Sequence, residues 1–552
     1  MFKCKFAFCS SLEKVFFDMP NATFDNGNSD IFKNEIFSFQ IVGKLLDGCG
    51  WKQDFKIECE SDIKEFINIH EVTYVPSLLP SYSNSCTDSR YISTTPGLFP
   101  DPLQKLENGK FSIPEDKARA LWVSIEPNGK ITGTHPIKFK ISHVGEFGCE
   151  PCCELTYMVN IKDALLPELK LINTGWFHGD CIAVLHNVEV MSDEYFEIVE
   201  KYIDVYAKFG HNMILTPVFT PPLDTAVGGE RPTNQLVDVT LENGKYSFGF
   251  KNFRRWIEMC LRRGIKYFEI SHLFTQWGAT SAPKIMANAD GEYKQIFGWD
   301  TDATSGEYTD FLNSFLPELK KVLEEYNLIE NCYFHVSDEP SPEHIDNYRA
   351  AKNILTKYIS DSKLIDALGN YELYKEKIIS KPIPSTTSIH TFIENGVENL
   401  WTYYCCGQGK DVANRFMAMP SYRNRILAYQ LYKNNIEGFL QWGFNFWFTQ
   451  YSLRVVDPYK ETDADCAFPS GDAFIVYPTD KDGDVVCSLR LYVFGEAMQD
   501  LRAMQLLESL TDRETVLSLL EDIKGFGTYP GNAEYILDLR EKINGMIFEK
   551  LK

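Results

Sequence analysis

Nowhere does the sequence run to the roughly 18 uninterrupted apolar residues that a membrane-spanning helix needs, so no such helix is expected. Basic residues are scarce too: 55 Lys and Arg stand against 77 Asp and Glu, a formal charge of −22, with no concentrated basic face. That balance repels a phosphate backbone or an anionic headgroup, which argues against nucleic acid and membrane as partners. There is no phosphate loop of the GxxxxGK(S/T) type and no dinucleotide fingerprint, and no cofactor is expected. The N-terminus, Met1-Phe-Lys-Cys-Lys-Phe-Ala-Phe-Cys-Ser10, lacks a convincing signal cleavage site and reads as an edge strand. Fifteen cysteines, an odd number, then fit a reducing, cytoplasmic setting. Cys149-Glu-Pro-Cys152-Cys153 has a CxxC spacing without a second pair, so no metal is expected. Asp480-Lys-Asp-Gly-Asp484 lacks the closing Glu of a calcium loop and reads as a hairpin turn.

What is present is length and aromatic content. A chain of 552 residues exceeds one ordinary core. Aromatics make up 14% of it, material for cores and for sugar-stacking platforms alike. Residues 1–165 carry short alternating runs beginning at Phe37, Phe55, Ala120 and Ile137, separated by turns such as Asn108-Gly109 and Asn128-Gly129, which predicts a β-sandwich. The segment from Pro76 to Pro102 reads as a long surface loop reaching toward a neighbouring domain. From residue 166 to 470, helical runs (Asp193–Phe209, Phe250–Arg263, Tyr308–Tyr326, Pro342–Ile359, Tyr422–Asn434) alternate with short apolar runs. Those are Met213–Thr216, Tyr267–Ser271, Cys332–Val336, Leu364–Leu368, Leu400–Tyr404 and Gly438–Trp442. Repeated β-then-α units predict a (β/α)8 TIM-type barrel with its chemistry at the C-terminal ends of the strands. Residues 471–552 read as a strand and two helices completing the catalytic domain.

The most informative stretch is Asn331-Cys-Tyr-Phe-His-Val-Ser-Asp338-Glu339-Pro340, a β-prone run ending in two adjacent carboxylates. One alternative is a helix cap for the segment that begins near Pro342. The other follows from position, at the end of the fourth recognisable barrel strand. Adjacent side chains diverge and cannot face each other across a sugar as nucleophile and acid. A workable division has Glu339 protonate the leaving oxygen while Asp338 holds a substrate group, which suits attack by the substrate's own 2-acetamido carbonyl.

Other strand ends carry aromatic and amide residues. Trp442, Asn445 and Trp447 form either a sugar platform or a strand core. Tyr403 and Tyr404 offer a hydroxyl to an acetamide oxygen or pack with it satisfied elsewhere. Asn414 and Arg415 bind hydroxyls or pair with surface acids. His272 and Trp277, and Trp176 and His178, mark two further strand ends, and His335 precedes the acidic pair. Each histidine has a structural alternative.

Together the motifs resemble glycoside hydrolase family 123 over essentially the whole chain. They are Asn173-Thr-Gly-Trp-Phe-His-Gly-Asp-Cys-Ile-Ala183, His335-Val-Ser-Asp-Glu-Pro340, Tyr403-Tyr-Cys-Cys-Gly407 with Asn414-Arg-Phe416, Arg423-Asn-Arg-Ile-Leu427 with Glu437-Gly-Phe-Leu-Gln-Trp-Gly-Phe-Asn445, and Gly471-Asp-Ala-Phe-Ile-Val-Tyr-Pro478. The resemblance implies a β-N-acetylgalactosaminidase with an N-terminal β-sandwich and a (β/α)8 catalytic domain, working by substrate-assisted retention. It implies that Asp338 orients the acetamido group and that Glu339 is general acid, then general base. Ser488-Leu-Arg-Leu-Tyr-Val-Phe-Gly-Glu-Ala-Met-Gln-Asp500 departs from the family's Leu-Arg-Asp-Gly-type wording, which bears on contacts there and on the sugar preferred more than on the chemistry. The expected partner is an oligosaccharide with a terminal 2-acetamido sugar. The alternatives are a β-hexosaminidase that accepts N-acetylglucosamine and a non-catalytic sugar-binding homologue.

Overall fold

The computed structural model describes residues 4–18, 26–45, 51–146, 148–340 and 342–552. The chain divides into two compact units, neither contiguous in sequence. One joins Met1–Lys170 with Ala413–Lys433 and Thr479–Lys552, and the other joins Leu171–Val412 with Asn434–Pro478.

In the first unit, alternation of apolar and polar residues builds two five-stranded sheets. One runs, in spatial order, Cys4–Ser10, Phe37–Leu45, Ala118–Ile125, Ile67–Ser77 and Gly97–Lys105, all antiparallel, with Cys4–Ser10 at the edge. The other runs Asn28–Phe32, Gly148–Lys162, Gly133–Gly145, Lys52–Glu60 and Lys110–Pro114. Their inward residues, among them Phe39, Ile41, Phe55, Ile57, Phe139 and Tyr157, make one hydrophobic cluster. Phe39 of one sheet stacks on Tyr157 of the other with ring centroids 4.0 Å apart. Pro76 and Pro102, expected to bound a loop, lie instead in paired strands, and the irregular part is residues 78–96.

The segment expected as a strand and two helices completing the catalytic domain differs on both counts. It holds three helices, Leu489–Leu510, Arg513–Leu519 and Ala533–Lys550, and from Thr479 onward it groups with the N-terminal sheets. The reason is a set of buried contacts. Arg490 forms a two-pronged ion pair with Asp101 at 2.7 and 2.9 Å. Asp500 takes Arg425 at 2.7 and 2.9 Å and Arg540 at 2.5 Å, while Arg540 reaches Glu35 at 2.7 Å. Arg490 lies in the stretch that departs from the family wording, so that stretch serves packing here.

The second unit is built on eight short parallel strands: β1 (Ile172–Gly175), β2 (Met213–Thr216), β3 (Tyr267–Ile270), β4 (Cys332–Phe334), β5 (Ile365–Leu368), β6 (Lys381–Pro384), β7 (Trp401–Tyr403) and β8 (Gly438–Gln441). Six form one parallel sheet in the order β4-β3-β2-β1-β8-β7. β5 and β6 form a separate parallel pair. Single parallel bridges, Phe334 with Leu364 and Ser385 with Tyr403, join the two groups. A closed (β/α)8 TIM-type barrel was the expectation, and the continuous sheet covers six of its eight strands. β4 and β7 have only three residues each, and Pro382 and Pro384 leave β6 with few backbone donors, so the ladders there shrink to bridges. Asp193–Lys208 and Gly306–Glu325 are helices close to the expected spans, each capped by a serine hydroxyl that accepts a backbone N–H. Among the described residues no helix is long and apolar enough to cross a membrane.

Removing Asp500 leaves two buried guanidinium groups without their shared partner. Asp500→Ala is expected to destabilise the protein by about 3–5 kcal/mol, read as a lower urea midpoint; an unchanged midpoint would show that the network contributes nothing.

Candidate active site

The C-terminal ends of β1, β4, β5, β7 and β8 open into one pocket of about 780 Å³, its mouth included. Trp176, Ala367, Tyr403, Leu440 and Trp442 supply its apolar surface, and Asp224, Asp338 and Glu339 its charge.

Asp338 is half-buried and Glu339 exposed. Burial, then the charge of Glu339, pushes the Asp338 carboxyl well above the usual range; the His335 cation opposes this, and Asp366 and Asp224 add to it. Asp338 is thereby inclined to hold its proton beside the carboxyl of Glu339. Glu339 has a left-handed backbone, φ 45°, immediately before Pro340, a strained arrangement for a residue with a side chain. Its Oε1 accepts a hydrogen bond from the Tyr403 hydroxyl at 2.7 Å. Burial and the charge of Glu339 push the Tyr403 hydroxyl well above 10, so it remains a donor.

Beneath the acids lies a buried charged network. His335 donates from Nε2 to Glu269 at 2.5 Å and from Nδ1 to Asp366 at 3.3 Å. Burial alone would lower the His335 pKa, but the hydrogen bonds and charges of Asp366 and Glu269 outweigh it and lift it to about 10. Glu269 also accepts from Trp176 Nε1 at 2.8 Å and from the Thr174 hydroxyl at 2.7 Å. Asp366 accepts from the Tyr348 hydroxyl and from the backbone N–H groups of Val336 and Ser337. Burial outweighs these bonds and raises the Asp366 carboxyl. His272 stacks on His335 with ring centroids 4.2 Å apart; burial and the adjacent cation push it well below 6.5, so it is neutral.

A second buried set holds the opposite wall. Arg231 grips Asp180 through two hydrogen bonds of 2.8 Å and donates to His178 Nδ1 at 3.3 Å. Burial and that guanidinium lower the His178 pKa to about 3. The ring is therefore neutral, with its proton on Nε2, which donates to the Trp442 carbonyl at 3.1 Å. Trp442 Nε1 donates to Asp472 at 2.9 Å.

Of the residues singled out in the sequence, Trp176, His178, Trp277, Asp338, Glu339, Tyr403 and Trp442 line the pocket. The others do not. His272 and His335 are buried beneath it. Tyr404 is fully buried with its ring edge on Phe439. Asn445 exchanges two hydrogen bonds with the His178 backbone and so fixes a loop. Trp447 is fully buried, its Nε1 donating to the Val476 carbonyl. Asn414 and Arg415 are buried in the segment Ala413–Lys433, which belongs to the other compact unit. Sequence inspection missed Asp224, Gln276, Gln450 and the thiols of Cys405 and Cys406 as pocket residues. Asp224 is the first acid after β2, eight residues beyond its end, and inspecting the whole strand-end loop would have reached it.

Residues 176–507 match the family model described as glycoside hydrolase 123, catalytic domain. The chain belongs to glycoside hydrolase family 123. Over 99% of both chains it shares its fold with a family 123 glycoside hydrolase from Clostridium perfringens, at TM-score 0.76 and 15% identity, whose structural study concerns glycolipid glycan hydrolysis. A family 39 glycoside hydrolase from Bacteroides cellulosilyticus WH2 is a more distant match, at TM-score 0.35 and 9% identity over 86% of this chain and 82% of that one. No curated protein sequence matches. Family membership makes the chain a glycosidase, acting on carbohydrate.

His335 gives the protein a measurable dependence on pH. Its folded value of about 10 lies above the ordinary 6.5, so the native state binds the proton more tightly than the unfolded chain. The stabilisation is complete below pH 6.5 and is lost as pH rises through about 10. Thermal unfolding of the wild type is expected to fall across that window more steeply than in His335→Gln; parallel profiles would contradict the protonated assignment.

Proposed function

We propose that the protein is a retaining exo-β-N-acetylgalactosaminidase that releases a terminal β-linked 2-acetamido sugar from oligosaccharides or glycolipid-derived glycans. The observation that carries this reading is the adjacent pair Asp338 and Glu339, both lining the pocket at the end of β4. Asp338 accepts the acetamido N–H and directs the carbonyl oxygen to the anomeric carbon, where a C–O bond forms as the glycosidic bond breaks. Glu339 gives its proton to the leaving oxygen, and then takes one from the water that opens the oxazolinium. An incoming N–H favours the ionised form of Asp338, against the burial that raises it. The Tyr403 hydroxyl then steadies Glu339 at the leaving oxygen. We further infer that β1 to β8 form one closed (β/α)8 ring, a reading supported by the two single bridges between the sheet and the β5–β6 pair.

A second reading is favoured by Asp224, a third carboxyl in the same pocket that burial pushes up to about 6. It makes Asp224 the nucleophile of an ordinary double displacement, with no need for an acetamido group.

A panel of nitrophenyl glycosides separates these. Asp338→Asn and Glu339→Gln are each expected to lower turnover by about 10²- to 10⁴-fold with the circular dichroism spectrum unchanged; full activity in either would sink the assignment. Equal cleavage of the 2-hydroxy galactoside would transfer the role to Asp224. Cleavage of both galacto and gluco acetamido forms would make the enzyme a β-hexosaminidase, and binding without cleavage would leave a sugar-binding homologue.

A further inference from the structure

One wall of the pocket mouth has an unusual construction. Asp224, Trp277 and Tyr451 all have left-handed backbones, with φ 44°, 57° and 59°. Such conformations cost on the order of 1–3 kcal/mol each and persist only where surrounding contacts enforce them. Here the contacts run among the three loops. The Tyr451 N–H donates to the Asp224 carboxylate at 3.1 Å, the Ala226 N–H donates to the Tyr451 carbonyl at 3.0 Å, and the Ser452 hydroxyl donates to the Asp224 carbonyl at 2.7 Å. The Asp224 N–H in turn donates to Gln276 Oε1 at 2.7 Å.

The wall is also tied to the acidic pair. The Trp277 N–H donates to the Asp338 carbonyl at 3.0 Å, and the Gly278 N–H to the Ser337 hydroxyl at 3.3 Å. Gly278 has φ 130°, and a Cβ there would lie 2.5 Å from the His344 ring, so the loop comes closer than any other residue allows. The result is a fixed aromatic corner. Trp277 and Tyr451 meet edge to face, centroids 5.9 Å apart and planes at 88°. Even so they remain 40% and 39% exposed, and the neighbouring Val227 and Leu453 are exposed as well. Rigid, half-exposed aromatic rings beside a polar pocket offer an apolar face to a ligand.

We infer that Trp277 and Tyr451 form an aglycone platform, a stacking surface for the C–H face of the pyranose ring that departs with the leaving oxygen. The inference rests on the proposed glycosidase reading, because the leaving oxygen must lie against exposed Glu339, and the ring it carries must extend outward past that residue. Trp277, held by its own N–H to the peptide preceding Glu339, stands beside that exit. The enzyme therefore selects a sugar as leaving group, and its specificity extends to the second ring of the glycan.

The test compares two substrates with the same 2-acetamido sugar: a β-linked disaccharide, and the glycosyl fluoride, whose leaving group has no ring to stack. Wild type should hydrolyse both. Trp277→Ala should lower the ratio of kcat/KM for disaccharide over fluoride by about tenfold, with Trp277→Phe restoring part of it and Tyr451→Ala lowering it in the same direction. An equal loss on both substrates in Trp277→Ala would overturn the platform, since the residue would then serve the acetamido sugar or the fold. If wild type hydrolyses neither substrate, the glycosidase reading itself fails, an outcome distinct from failure of the platform.

Discussion

A single buried cation holds the floor of the pocket together. Glu269 and Asp366 are both fully buried, and without a counter-charge each would cost several kcal/mol. The His335 imidazolium between them makes their burial tolerable, and its two N–H groups fix their orientation. Through Glu269 the network reaches Thr174 and Trp176 of β1 and its loop; through Asp366 it reaches β5 and the peptide N–H groups of Val336 and Ser337. The next residue is Asp338. The backbone that leads into the acidic pair is thus held from below by a buried charge.

Above that floor, the pocket holds its shape at the expense of backbone comfort. Asp224, Trp277, Glu339 and Tyr451 all take a conformation that glycine tolerates best. Left-handed residues recur along the chain, but these four lie at or beside one pocket, where the fixed geometry outweighs local backbone stability. It also explains why these loops carry so many hydrogen bonds from side chains to backbone, which enforce what the chain alone would not adopt.

Much of this was legible in the sequence, for reasons that can be named. The run Met213–Thr216 and the helix Asp193–Lys208 have clear periodicity, and the acidic pair follows a recognisable strand. β6 was not legible, since its two prolines oppose a strand assignment. Nor can a pattern distinguish a histidine that faces a pocket from one buried beneath it, as His272 and His335 are. Asn414 and Arg415 failed for a topological reason. A helix between two parallel strands is expected to pack against them, yet the segment that holds these residues joins the other unit. Strand-end logic found Trp176 and Trp442, and passed over Asp224, because the loop that carries it is long.

The interleaving of the two units bears on how the protein is made. Glu35, beside the sheet strand Asn28–Phe32, finds its partner Arg540 505 residues later. At roughly 5–20 residues per second, that interval is about 25–100 s. Throughout it, the surface that the last helix will cover stays open, with an acid and apolar side chains such as Phe32 waiting for Phe548. A version stopped short of Ala533–Lys550 would leave Glu35 and Phe32 without these partners. The span that carries the family signature does not coincide with either unit. It takes in part of one unit and omits most of the sheets with which that part packs.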